Sequence, residues 1–151
     1  LKLREWTEQY FSSVRSWAEQ VCHAISEATH IMENPELNGE HKRPVLVQLS
    51  SLIDTGRWYF PNQWTDDYGK HKEPAYRGIR QPILDCVVNA YDLLKEPKSS
   101  EGIKAELVAA QREFVSCIQE VLDPRKREQE IKKILVEFEV SGRLRDAPGK
   151  R

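Results

Sequence analysis

Long apolar runs are missing from this 151-residue chain. No stretch approaches the roughly 18–20 apolar residues of a membrane span, so these residues hold no candidate transmembrane helix. Cysteine is scarce. Cys22, Cys86 and Cys117 sit far apart among apolar neighbours with no Cys-x-x-Cys pair, which argues against a zinc knuckle. An odd count at long spacing reads as reduced, buried thiols, the usage of a cytosolic setting. Charge of one sign is absent too: 23 Lys and Arg against 24 Asp and Glu leave a net charge of -1, against a generally basic nucleic-acid binder. GxSxG, P-loop and GxGxxG motifs are all lacking, and there is no internal repeat or low-complexity tract.

What is present is a soluble composition, 39% apolar and 31% charged, in a length that suits one domain. The charge is unevenly spread, with 7 acidic and 3 basic residues in 1–40 but 9 basic and 5 acidic in 125–151. That asymmetry fits head-to-tail contacts or an anion-facing end, and equally a set of solvated faces.

Periodicity predicts an all-α fold, an irregular bundle of four to five helices with a long first helix and a long aromatic and basic loop after the second. Residues 3–33 carry Trp6, Tyr10, Val14, Trp17, Val21, Ile25, Ala28 and Met32 at steps of three and four, widened by Phe11, Ala18, Cys22 and Ile31. At 1.5 Å per residue this helix runs roughly 45 Å. A loop, "NPELNGEHKRP", precedes a second helix expected to begin near Pro44 and to be capped by Gly56, with Leu46, Leu49, Leu52 and Ile53 inward. Pro82 opens a third helix through Ile83, Val87, Ala90, Tyr91 and Leu94, and Pro97 stops it. A fourth spans roughly 100–122, with Ser100 as N-cap and Ile103, Leu107, Ala110, Phe114, Cys117, Ile118 and Val121 inward. Asp123-Pro124 starts a charged fifth helix to about 140, with Ile131, Ile134, Leu135 and Phe138 on a narrow stripe; this face is expected to be solvated or to contact a second subunit. "ILVEFEV" there also suits a strand, but a lone strand has no partner, so helix is preferred. Residues 1–142 form the single predicted domain and 143–151 a flexible tail.

Catalytic constellations are not evident. His23 and His30 lie seven apart on the first helix, too far for a paired metal site, and His41 and His71 lack ligand patterns beside them. Nucleases of the HEPN type place an arginine a short fixed step before a histidine. Arg15 and His23, with seven residues between, do not fit, and Arg57, Arg77 and Arg80 have no histidine in range. Asp66-Asp67 reads as a turn or capping pair rather than a metal site.

The informative stretch is 56–81, "GRWYFPNQWTDDYGKHKEPAYRGIRQ". Structureless loops of this length inside a domain are uncommon and are often functional. Five basic residues oppose three acidic ones in 57–80. Guanidinium groups grip phosphate in two-pronged fashion, rings stack on bases, and Asn or Gln reads a base edge. The candidate ligand-binding residues are therefore Arg57, Lys72, Arg77 and Arg80 for phosphate, Trp58 or Trp64 for stacking, and Asn62 or Gln63 for the base edge. The structural alternative makes Trp58, Tyr59 and Phe60 a plug for the bundle, with Arg57 and Arg77 pairing Asp54 and Asp85.

The segment "RWYFPNQW…KEPAYRGIRQPILDCVVNAYDLL" (57–94) and "YFSSVRSWAEQVCHAISEATH" (10–30) resemble the soluble helical domain of poorly characterised bacterial proteins with an N-terminal membrane helix. In layout that group is similar to membrane-anchored effectors of antiviral, including CRISPR-associated, systems whose cytosolic domain senses cyclic oligoadenylate. The resemblance implies a non-enzymatic sensor on the cytoplasmic face of the inner membrane. It also implies an anchor ahead of Leu1, a homo-oligomer, a nucleotide-type anionic ligand, no cofactor and no duplex nucleic acid. Two other expectations stand beside it: a structural domain that self-associates through its long first helix, and a nuclease.

Overall fold

Apolar residues at steps of three and four, with no Gly or Pro among them, make α1 (Lys2–Glu33) one unbroken helix. The computed structural model describes residues 2–37, 39–97 and 101–146. After α1 come α2 (Gly39–Gly56), a single 3-10 turn at Pro74–Tyr76, α3 (Pro82–Leu94), α4 (Glu101–Leu122) and α5 (Pro124–Asp146). Among the described residues there is no strand, only an isolated antiparallel bridge between Gln63 and Ile79. The all-α expectation holds with five helices.

The inward stripe of α1 runs from Val14 through Val21 and Ile25 to Met32 and packs against Leu49 and Leu52 of α2, Leu84 and Val87 of α3, and Leu107 and Phe114 of α4. Trp17 sits at the crossing. Its Nε1–H donates to the Leu52 carbonyl at 2.9 Å, and its ring lies 5.6 Å from both Phe60 and Phe114, centroid to centroid. The inward stripe of α1 is thus covered by the chain's own core.

Several boundaries differ from expectation. The loop before α2 is shorter, because the helix already begins at Gly39 and runs through Pro44. Proline forfeits one intrahelical bond there, and burial of Val45, Leu49 and Leu52 on the same helix outweighs it. Gly56 is a close-approach residue rather than a left-handed cap: a Cβ there would lie 2.5 Å from Leu84 Cδ2 and 2.6 Å from Trp17 Cζ2. Trp6, expected inside, is exposed and stacks only on Tyr10, since α2, α3 and α4 bury α1 from Val14 onward. Ile134, Leu135 and Phe138 are likewise exposed, as developed below.

Asp123 caps α5 as predicted, its Oδ1 accepting from the Arg125 N–H at 2.9 Å. The helix then continues to Asp146, four residues into the predicted tail, because one glycine at 142 costs only about 1 kcal/mol in a helix. Ser100 and residues 147–151 lie outside the described residues.

Candidate ligand-binding site

The segment from α2 to α3 is long but tied. Gln63 N–H donates to the Ile79 carbonyl at 2.8 Å, and Ile79 N–H donates back to the Gln63 carbonyl at 2.7 Å. This clasp closes residues 64–78 into a compact Ω-type loop. Inside it Gly78 N–H donates to the Tyr68 carbonyl at 3.2 Å, and Trp64 Nε1–H to the Pro74 carbonyl at 3.3 Å. Gln81 Nε2 reaches the Pro61 carbonyl at 2.8 Å, joining the loop's exit to its entrance. Gly78 sits at φ +81° with the Gln63 carbonyl against the place a Cβ would take, so only glycine allows both the turn and the close approach.

The three consecutive rings take different directions. Phe60 is buried beside Trp17. Tyr59 is half-buried, and its carbonyl accepts from the Tyr10 hydroxyl at 2.9 Å. Trp58 is 76% exposed, on a groove lined by Ser13, Ser16 and Thr55 of α1 and α2. The plug reading therefore fits Tyr59 and Phe60 but not Trp58.

The clasped loop walls a cleft of about 300 Å³ that gathers Arg57, Asn62, Lys72 and Arg80, with Tyr68, Tyr76 and Asp85 completing its sides. Arg57 is only 12% exposed at its side chain and is fixed from below. Its Nη1 donates to Asp54 Oδ1 at 3.0 Å and to the Ile53 carbonyl at 3.4 Å, and its guanidinium lies 4.8 Å from the Tyr76 ring centre. The Tyr76 hydroxyl donates to the same Asp54 oxygen at 3.3 Å. Two groups are left over: Arg57 Nε, a donor, and Asn62 Oδ1, an acceptor, are both buried without a protein partner. Arg80 Nε donates to Asp85 Oδ1 at 2.6 Å, and Lys72 forms no ion pair among the described residues.

Of the eight sequence candidates, this cleft brings together Arg57, Asn62, Lys72 and Arg80. Trp64 and Arg77 line a neighbouring cleft of about 530 Å³ with Asp66, Asp67 and Lys70, and Tyr68 forms part of both. There Arg77 Nε donates to the Lys72 carbonyl at 2.7 Å while its guanidinium lies 5.6 Å from the Trp64 ring. The expected pairing of Arg77 with Asp85 is replaced by Arg80 with Asp85, because the left-handed turn at Gly78 sends residues 77 and 80 to different clefts. Trp58 and Gln63 border neither cleft; Gln63 serves through its backbone. Sequence reasoning missed Tyr68 and Ile79 as walls. Their signal was the pair of glycines, Gly69 and Gly78, which mark the turns that fold the loop back.

Elsewhere, His23 Nδ1 lies 3.4 Å from Glu27, an exposed pair on one helix face. Among the described residues no three His, Cys, Asp or Glu side chains converge as a metal site, and no helix is long and apolar enough to cross a membrane. All three cysteines are free thiols; Cys86 is buried, and burial pushes its pKa up to about 12, aided by Glu113 and Cys117. No protein-family model, curated protein or solved structure matches this chain.

Proposed function

We propose that this chain is a non-enzymatic sensor domain whose Arg57–Asn62–Lys72 cleft takes a nucleotide-type anion. Cyclic oligoadenylate is the ligand that the sequence resemblance implies, and a membrane-anchored bacterial antiviral protein is the setting. One observation carries the reading. A buried donor and a buried acceptor, Arg57 Nε and Asn62 Oδ1, lack a protein partner on two residues that line one cleft, and Lys72, which makes no ion pair among the described residues, lines it too. A buried polar group without a partner costs roughly 1–3 kcal/mol, so a ligand offering an anionic oxygen and an N–H donor gains from both. Phosphate and an adenine edge are such a pair. The Tyr68 and Tyr76 rings supply flat surface beside them.

Binding rather than turnover fits the groups present. No His or Cys lines the cleft, and its one carboxylate, Asp85, is held by Arg80. The cleft's size matches one nucleotide unit, at the lower end of the roughly 300–1,000 Å³ of ligand pockets, so a cyclic oligomer is shared between chains. A ligand bound that way stabilises the assembled form by its differential affinity, and an anchored segment ahead of this domain would feel the change.

Titration calorimetry with cyclic tetra-adenylate and cyclic hexa-adenylate tests this, with AMP as the single-unit control. Micromolar binding that Lys72→Ala and Asn62→Ala each weaken supports the reading; no heat with ligand at about ten times the concentration expected to half-saturate overturns it. Incubation with labelled RNA and DNA, with and without magnesium, checks the nuclease alternative. A second reading, a structural self-association domain, is favoured by one observation only, the exposed apolar face of α5.

A further inference from the structure

Every residue of α5 from Lys132 to Ser141 is exposed, yet the run is rich in apolar side chains: Ile134, Leu135, Val136, Phe138 and Val140. Phe138 shows 77% of its surface. Only the first part of the helix is attached to the bundle. Arg4 Nη1 lies 3.2 Å from Glu128 Oε1, Arg127 Nη1 lies 3.5 Å from Glu8 Oε2, and Ile131 is buried to 1%. Beyond Ile131 no described helix covers α5. Ile134, Leu135 and Phe138 extend the line of Ile131 at steps of three and four, and Gly142 follows at the same spacing. An apolar stripe that runs past its own bundle marks an interaction surface.

We propose that this stripe pairs with the same stripe of a second copy, the two α5 helices running antiparallel about a twofold axis between Val136 and Glu137. Charge selects the second copy and the direction. In that alignment Leu135 lies level with Phe138 of the second copy, and Phe138 with its Leu135. Lys132 falls within a turn of Glu139 of the second copy, on the same flank of the stripe, and the match occurs twice by symmetry. A parallel pairing in register holds Lys132 and Glu139 of the two copies seven residues apart and loses that match. The seam is a few turns long, short of the roughly 1,200–2,000 Å² of stable interfaces, so the dimer is weak and concentration-dependent. This inference supplies a surface for the self-association used in the proposed function but depends on neither the cleft nor its ligand.

Sedimentation velocity of the ligand-free chain, from about 5 to about 500 µM, tests it. The mass is expected to climb from 17.6 kDa towards twice that value. Phe138→Glu is expected to weaken the dimer at least about tenfold. Its melting temperature and circular dichroism should match wild type, since Phe138 is exposed. Lys132→Glu and Glu139→Lys each weaken the dimer, and the double variant restores it. A monomer at every concentration, a dimer indifferent to Phe138→Glu, or a double variant no better than the singles overturns the inference. A monomer that binds phosphatidylglycerol vesicles through α5 also overturns it, in favour of a lipid surface. A dimer that persists while cyclic oligoadenylate fails to bind removes the sensor reading and leaves this surface standing.

Discussion

Gly78 is where the loop's architecture is most open to a single-atom test. Gly78→Ala adds a Cβ at φ +81°, a conformation that costs an L-residue about 1–2 kcal/mol. The new atom would overlap the Gln63 carbonyl oxygen, and would lie 2.7 Å from the Gln63 carbonyl carbon and 2.8 Å from Trp64 Cα. These are backbone atoms, so no side-chain rotation relieves the overlap. The loop must part at the clasp, losing the two bonds between Gln63 and Ile79, each worth about 0.5–1.5 kcal/mol. Those bonds are lost on opening in wild type as well, so the gain in opened population comes from the strain: about 1–2 kcal/mol, at about 1.36 kcal/mol per decade roughly 5- to 30-fold, before the backbone overlap adds to it. Amide hydrogen exchange measured by NMR reads this directly: the Ile79 amide should exchange at least about tenfold faster. The global loss is bounded by the stability of the clasp, since the variant escapes further strain by opening. Gly39→Ala is the control, because nothing lies within 4 Å of a Cβ at that site. Exchange at Ile79 within about threefold of wild type would refute the argument that Gly78 holds the loop closed.

Other outcomes follow from the same contacts. Gly56→Ala forces Leu84 and Trp17 apart in a filled core and should destabilise the fold by about 1–3 kcal/mol, seen as an earlier midpoint in urea unfolding. Cys86 should resist alkylation at pH 8 in the native state, with roughly a thousandfold less thiolate than a thiol at its ordinary value of 9.0. Because its native pKa is raised, stability is fully present below pH 9.0 and falls as pH rises towards about 12, where Cys86→Ala should flatten the alkaline limb of a thermal-melt series. Asp123, whose carboxyl the Arg125 side chain and amide hold below its usual value, keeps its cap above pH 3.8; the first turn of α5 should loosen, by amide exchange, as pH falls through the lowered value.

Most of the helical frame was legible because it rests on local rules. Pro82 at a first helical position, Asp123 accepting from the next turn, and the steps from Val14 to Met32 each act within a few residues. The departures share one cause, which is that tertiary packing overrode a local signal. Pro44 lies inside α2 because the helix gains the buried side chains of Val45, Leu49 and Leu52 that follow it. Gly56 is small to admit Trp17 and Leu84, not to reverse the chain, and nothing in its neighbours in sequence distinguishes those uses. Trp6 continues an apolar stripe that outruns the bundle, just as Phe138 does on α5. Periodicity reports which residues share a face; it does not report where the opposing surface ends.

The loop shows the same division at the level of the site. Its stock of cations, amides and rings was plain, and the Arg57–Asp54 pair, three residues apart at a helix end, follows from helical spacing. Which cation serves which carboxylate was not legible, because the turn at Gly78 separates Arg77 from Arg80. The two guanidinium groups in the cleft consequently have different standing towards a ligand. Arg80 and Asp85 form a part-exposed pair, worth about 0–1 kcal/mol, that an arriving phosphate can displace at little cost. Arg57 is held by Asp54, the Ile53 carbonyl and the Tyr76 ring, and those contacts leave Nε as its buried unbonded donor. The proposed anion would therefore meet one arginine already oriented, whose ordering cost was met on folding, and one that must exchange a partner. For the proposed ligand, affinity would rest on the first, and the dependence on salt on Arg80 and Lys72.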